Sequence, residues 1–532
     1  MKLNLRLLTA MIATLALVAA ACGDGDADEP AATTETPATT ETPATTEAPA
    51  TTAAPEPEVA DPGTPGNIPD PGTAAGRFDG VEVVVAGPAG QLDYMKAKAA
   101  EWAAETGATV RVDEIPFGEL NDKVLAALST DTFIADIINI GSNLGGDLMG
   151  GGFMAAAPDW AQQRADWEGI LPIFRSNQLS FGGVAYGMPW DGDVLMYYWR
   201  ADAFEEYADE YEAATGQALG PAQSWSEYAS IAKFFTENAW SDQEEGYGLV
   251  ELPMRNNQGW NGFMTRAAGY AKAPNDPGFF FDPETMEPRI NNPGFVRALE
   301  DWGAVIEYGP PGMLNFGWIE NALSFVGGIA AQDIQWGDIG PMSKSPDSVV
   351  EGAVGYGPAP GADEYWDPVA GAWASGDGPN QAPFLGFGGW FNLVPATSNH
   401  LAAAFDLASF LGSPAVLAEA AVTAGTGVNP GTAATLDPAL WVSAGWPEDE
   451  AKAYTDAIRA SLDHPNAVFD MRLPGFPEYK DALELAVSEA LSGQASAQDA
   501  LDEAAETWNE ITDRLGRDEQ LRIYREALGL TG

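Results

Sequence analysis

The feature that most restricts the fold is a repeated alternation of short apolar runs with helical patterns, beginning at Gly80. Gly80-Val81-Glu82-Val83-Val84-Val85-Ala86 predicts a strand that ends at Gly87-Pro88-Ala89-Gly90. The next segment, about Gln91 to Glu105, places Met95, Ala99 and Trp102 on one helical face, and Gly107 stops it. A second strand, Thr109 to Ile115, a helix over Phe117 to Ala127 and a buried strand over Ile134 to Ile140 follow. Such alternation predicts an α/β body with a mostly parallel sheet, helices on both faces, and ligands gathered outside the carboxyl ends of its strands. The loop Gly141-Ser142-Asn143 makes Ser142 and Asn143 cleft candidates by position, although a tight turn explains its glycine equally well.

The same logic recurs at Tyr186-Gly187-Met188-Pro189-Trp190-Asp191-Gly192-Asp193, which leads into the apolar aromatic run Val194-Leu195-Met196-Tyr197-Tyr198-Trp199. A buried strand entered through an indole and two carboxylates suits a polar ligand with apolar faces. Trp190, Asp191 and Asp193 are therefore expected to face a cleft at a crossing between two lobes. Gly246 to Val250 reads as a short strand, and Arg255 to Asn261 as a polar loop carrying Trp260 and Asn261. Phe325 to Asp338 reads as a strand ending in Trp336, Gly337 and Asp338, and Gly388-Gly389-Trp390 precedes a helix from His400 to Leu411. Sugars and polyols present C–H faces that stack on indoles and hydroxyls that bond to carboxylate, amide or guanidinium groups. With 17 tryptophans, several beside Asp or Asn at strand ends, that pairing is available repeatedly. Asp191, Asp193 and Asp338 are favoured as charged acceptors, whereas Asn261 and Asn392 are weaker candidates. Trp102, Trp199, Trp302 and Trp508 sit in apolar patterns and are assigned to the core.

The first residues indicate the address. Lys2 and Arg6 precede an apolar run from Leu7 to Val18, too short for a membrane span, and Ala19-Ala20-Ala21 leads into Cys22, the single cysteine. This layout predicts an export signal over residues 1–22 with lipid attached to Cys22, as in bacterial lipoprotein signals, although Ala19 stands where leucine is more usual. Residues 23–76 are rich in Thr, Ala, Pro and Glu and poor in large apolar side chains, which predicts a disordered tether. The remaining 77–532 is long enough for more than one core. Twenty-five basic against 78 acidic residues give a formal net charge of −53, which argues against nucleic acid or anionic lipid as the partner. The histidines, His400 and His464, are isolated and have no thiol beside them, so no metal or other cofactor is expected, and no nucleophile elbow or phosphate loop occurs.

Taken in order, these motifs resemble the extracellular solute-binding proteins of ATP-driven carbohydrate importers, the group that includes the maltodextrin-binding protein. The resemblance runs from the Pro189-Trp190-Asp191 crossing and Trp225-Ser226-Glu227-Tyr228 through Gly327-Gly328-Ile329-Ala330-Ala331, Trp336 and Gly388-Gly389-Trp390. It continues through the Ala402 to Leu411 helix and Ser413-Pro414-Ala415 to Arg472-Leu473-Pro474-Gly475-Phe476 and Trp508. It implies a two-lobed periplasmic-binding-protein-like fold of type II, hinged between lobes. Lobe one would hold about 78–188 and 384–425, and lobe two about 189–383 and 426–532. It also implies a monomeric, lipid-anchored, extracytoplasmic receptor that delivers a carbohydrate to membrane permease subunits and is not an enzyme. By position Trp336 matches the family's cleft aromatic, Asp191 and Asp193 its polar crossing, and Arg472 a carboxy-terminal cleft loop. The Gly145 to Gly152 stretch and an insertion-like segment, Asp363 to Ala382, depart from the family pattern. Two alternatives remain open on the residues alone. Paired carboxylates among aromatics also describe glycoside hydrolases, and a tryptophan-lined acidic cleft also suits betaines or peptides.

Overall fold

The computed structural model describes residues 68–241 and 245–530, so the expected signal, Cys22 and residues 23–67 of the expected tether lie outside the described residues. Residues 68–76, expected as the tether's end, instead lie on the body. Trp160 Nε1 donates to the Ile68 carbonyl at 2.9 Å, and Arg164 Nη2 donates to Asp70 at 2.6 Å and to the Gly72 carbonyl at 3.0 Å. Composition missed this because the contacts that order the segment come from residues some ninety positions away.

The first sheet has strands β1 (Glu82–Pro88), β2 (Thr109–Ile115), β3 (Ile137–Gly141), β4 (Met188–Pro189) and, from much later in the chain, Trp390–Leu393. The second has β5 (Leu195–Arg200), β6 (Gln332–Trp336) and β7 (Val354–Pro358), so Trp390–Leu393 is β8. In the first sheet the order is β2-β1-β3-β8-β4. β1 is parallel to both β2 and β3, and Val83 to Ala86 are buried as a central strand requires. β8 runs antiparallel to β3 and β4, with Trp390 opposite Gly141 and Asn392 opposite Asn139. The Asn139 and Asn392 side chains close that register with a 3.0 Å hydrogen bond. The second sheet, order β6-β5-β7, is antiparallel throughout, with Leu195 opposite Trp336 and Met196 opposite Pro358. Within these two sheets the expected parallel arrangement therefore holds for the first three strands alone, because the later strands arrive by long connections that no local period records.

The helix Asp93–Thr106 covers the first sheet and ends at Gly107, whose φ of 76° is the left-handed stop that the sequence predicts. Gly246 to Val250 forms only isolated bridges, Tyr247 to Ala330 and Val250 to Asp333. Of the polar loop expected over Arg255 to Asn261, residues 255–258 form a turn, while Gly259, Trp260 and Asn261 open a buried helix, Gly259–Ala271. Within Phe325 to Asp338 only Gln332–Trp336 is strand, preceded by the helix Trp318–Val326.

Near one edge of the first sheet, Asp406 on the helix Leu401–Leu411 accepts from Arg77 Nη2 at 2.7 Å and Trp102 Nε1 at 2.6 Å, and also pairs with Arg164. One buried carboxylate thereby joins four distant stretches of chain.

The sheets are connected where three segments run side by side. Trp190 to Val194 joins β4 to β5; the Asp191 N–H donates to the Trp390 carbonyl at 3.0 Å, and the Gly192 N–H to the Asn429 carbonyl at 3.3 Å. A Cβ on Gly192 would lie 2.5 Å from Gly431 Cα, and one on Gly389, where φ is 87°, would lie 2.0 Å from the Asp191 carbonyl. Only glycine permits these backbones to touch.

Candidate functional site

The crossing places Asp191 and Asp193 just before β5, whose first residue, Leu195, pairs with Trp336 at the end of β6. Two residues past Trp336, Asp338 comes within reach of the same centre. Asn429 holds the three carboxylates together. Its N–H donates to Asp191 Oδ1 at 2.5 Å, and its Nδ2 donates to Asp193 Oδ1 at 2.9 Å and Asp338 Oδ2 at 3.2 Å. The aspartates are 5%, 4% and 9% exposed. Burial, then the neighbouring Asp338 charge, pushes Asp191 up to about 8. Burial and the charges of Asp191 and Asp338 push Asp193 well above its ordinary value, and burial also raises Asp338.

Facing the carboxylates is a wall of rings. Trp336 and Phe387 have centroids 5.7 Å apart, Phe387 and Trp390 5.6 Å, and Phe117 and Trp390 5.9 Å. Trp336 Nε1 donates to Gln258 Oε1 at 3.3 Å, which fixes the indole plane. Phe387 adopts a φ of 53°, a left-handed conformation that costs a bulky residue energy and persists only when its surroundings impose it. Here its N–H is held by Asp470 Oδ2 at 3.1 Å. Asp470 also accepts from Trp260 Nε1 and the Met471 N–H, both below 3 Å, and burial raises its carboxyl to about 6.

Asp191, Asp193, Trp336, Asp338 and Trp390 thus line one cavity of about 30 Å³, which Gln91, Phe117, Gln258, Trp318, Phe387 and Gly427 complete. Beyond Phe117, Phe387 and Trp390 lies an outer cavity of about 420 Å³ with Asn121, Asn143, Asn256, Asn257 and Lys480 in its walls. Asn143 therefore meets the outer cavity and not the inner one.

The other expected site residues lie elsewhere. Trp190 is 3% exposed in the core, its ring 6.2 Å from Tyr94. Trp260 stacks on Phe280 at 5.8 Å, inside the helix Gly259–Ala271. Asn261 sits behind Gln258, donating to its Oε1 at 3.0 Å. Ser142 is buried under Gly388. Arg472 donates to the Ser180 carbonyl at 2.8 Å and lines a separate cavity of about 540 Å³ with Trp167, Arg175 and Phe181. Local patterns placed Ser142, Trp190, Trp260 and Asn261 in loops or crossings beside strands, and the family resemblance placed Arg472 in a cleft loop, while packing decided which way each side chain turned.

Sequence reasoning overlooked Asn429, Phe387, Trp318 and Gln258. The glycines around Phe387 and the Asn429-Pro430-Gly431 turn signal were readable, yet they marked only bends, not the wall of a cavity.

A family model for bacterial extracellular solute-binding proteins matches residues 97–453. The chain belongs to that family. A probable ABC transporter-binding protein of Deinococcus radiodurans is 25% identical over 330 residues, covering 60% of this chain and 69% of that protein. Among solved structures, a solute-binding protein of Agrobacterium radiobacter in complex with ribitol is 22% identical with a TM-score of 0.67, covering 82% of this chain and 99% of that one. Maltose-bound MalE3 of T. maritima is 20% identical with a TM-score of 0.64, covering 81% and 100%. The fold is thus the two-lobed one of solute-binding proteins.

Proposed function

We propose that the protein captures a sugar or polyol between its two lobes and passes it unaltered to the permease of an ABC importer. The observation that carries this reading is the convergence of rings and carboxylates from both sheets and from the crossing segments on one cavity. Trp336 and Trp390 take the C–H faces of the solute, while Asp191, Asp193, Asp338 and Gln258 take its hydroxyls. Solved relatives with this fold carry ribitol, D-mannitol or maltose. A cavity of about 30 Å³ has room for roughly one water, so a larger guest enters with the lobes apart and is enclosed as they close. The solute shifts the open and closed populations by its differential affinity for them. The lobes divide at about residues 188, 384 and 425, and the protein works as a monomer.

The reading extends to the amino terminus. A lipid on Cys22 holds the body at the membrane surface, and residues 23–67 give it reach at raised effective concentration near the permease. Labelling with a fatty acid in cells, compared with Cys22→Ser, tests the anchor; an unlabelled parent protein excludes it.

Titration calorimetry against sugars and polyols tests the site. Binding of at least one, weakened by Trp336→Ala, is expected; no binding by any refutes the reading. Incubation with oligosaccharides is expected to yield no cleavage products, and turnover would replace capture with hydrolysis.

A further inference from the structure

We infer that the solute carries a protonated amine, as in an amino sugar or amino polyol, whose ammonium group seats among Asp191, Asp193 and Asp338 while its carbon skeleton lies against Trp336, Phe387 and Trp390. The inference rests on the capture site proposed above and names the class of guest that fills it.

Its first support is the balance of charge. Buried carboxylates normally have a cationic partner or a metal, since isolated charge is costly away from water. These three are more than nine-tenths buried, and no Lys, Arg or His lines their cavity. What they share instead is Asn429, a neutral amide whose single side-chain nitrogen is divided between Asp193 and Asp338. The other titratable groups near them are the phenols of Tyr198 and Tyr454, which already donate to the carbonyls of Trp336 and Gly337 at 2.6 and 2.9 Å. Among the described residues no group of three or more His, Cys, Asp or Glu is placed to hold a metal ion, so the cation that fits here is organic.

The ring wall is a separate observation pointing to the same charge. Trp336, Phe387 and Trp390 line the same cavity as the carboxylates, and aromatic faces attract cations as well as C–H groups. A neutral sugar uses only the second property. A quaternary ammonium uses only the first and offers no N–H to the carboxylates, whereas a primary ammonium has three N–H donors for three acceptors. The acids' elevated protonation agrees with this, because a cation among them would replace the protons that burial now imposes on Asp191 and Asp193.

The test uses matched pairs on the full-length protein: sorbitol with 1-amino-1-deoxysorbitol, ribitol with its 1-amino analogue, and glucose with glucosamine, each measured by calorimetry at one pH. The expected result is that the amine member of at least one pair binds ten times or more tighter than its hydroxyl counterpart. Asp193→Asn, checked for folding by its melting curve, should bring that ratio towards one. Equal affinities, or tighter binding of every hydroxyl member, overturn the inference and leave sugar or polyol capture standing. No binding by any member of any pair overturns both. A tenfold preference that survives Asp193→Asn, Asp191→Asn and Asp338→Asn would place the amine elsewhere and also overturn it.

Discussion

Asp406 and Asp193 are buried to nearly the same degree, 2% and 4% exposed, yet their surroundings are opposite. Asp406 is clasped by two arginines and an indole N–H, so its charge is answered within the fold and the carboxylate ties distant segments together. Asp193 has two more carboxylates for neighbours, is hydrogen-bonded to one of them, Asp191, and accepts from an amide that it shares with Asp338. The first arrangement answers its charge with cations of the fold; the second has none lining its cavity. Burial alone therefore does not tell these two acids apart, whereas the count of positive partners does.

The largest effect is expected where that contrast is broken on the structural side. Asp406→Ala leaves Arg77 and Arg164 without their buried partner and should cost about 3–5 kcal/mol in urea unfolding of the ligand-free protein. Solute affinity of the folded fraction should stay within about twofold. A loss of affinity as large as the loss of stability would mean the two acidic regions are coupled.

On the binding side, Trp336→Ala and Asp191→Ala should each weaken capture by the folded fraction by about 1–3 kcal/mol in calorimetry, and Trp336→Ala should also lower the melting temperature, because it empties the space of a buried indole. Unchanged affinity in both would place the solute elsewhere.

A smaller effect sharpens the comparison through pH. An acid whose folded pKa is raised keeps its proton longer in the native state than in the unfolded chain. Native protein then holds more protons from about pH 4 up to about 8 for Asp191, so stability falls as pH rises through that window. Asp147 and Asp470, each raised to about 6 chiefly by burial, add to the fall in its lower half. Asp193→Asn should therefore stabilise the ligand-free protein by about 1 kcal/mol at pH 8 and by little near pH 4, a sign opposite to Asp406→Ala. A destabilised variant at pH 8 would show that the acid cluster holds the fold together.

The smallest effect is expected at Arg472, which lines a different cavity. Arg472→Gln should change solute affinity by less than about 0.5 kcal/mol. A tenfold loss would reinstate it as a cleft residue.

Part of the candidate site was legible because its residues flank apolar, strand-forming runs, either just before a strand or at its end. Asp191, Asp193, Trp336, Asp338 and Trp390 are all of this kind. Trp190 and Trp260 follow the same local rule and fail it: both indoles turned into cores built by distant helices. Asn429 and Phe387 had the opposite history. Their local sequences advertise only turns, yet the crossing makes one the hub of the carboxylates and the other part of the ring wall.

What the sequence determined by itself was the alternating α/β character of the first lobe, the glycine stop at Gly107, and the identity of the indoles and carboxylates available for a cleft, since these depend on neighbours a few residues apart. Tertiary structure alone decided the antiparallel second sheet, which tryptophans border the inner cavity, and the meeting of Asp191, Asp338 and Asn429. Those outcomes depend on contacts across 91 to 238 positions of chain, and no local periodicity carries that information.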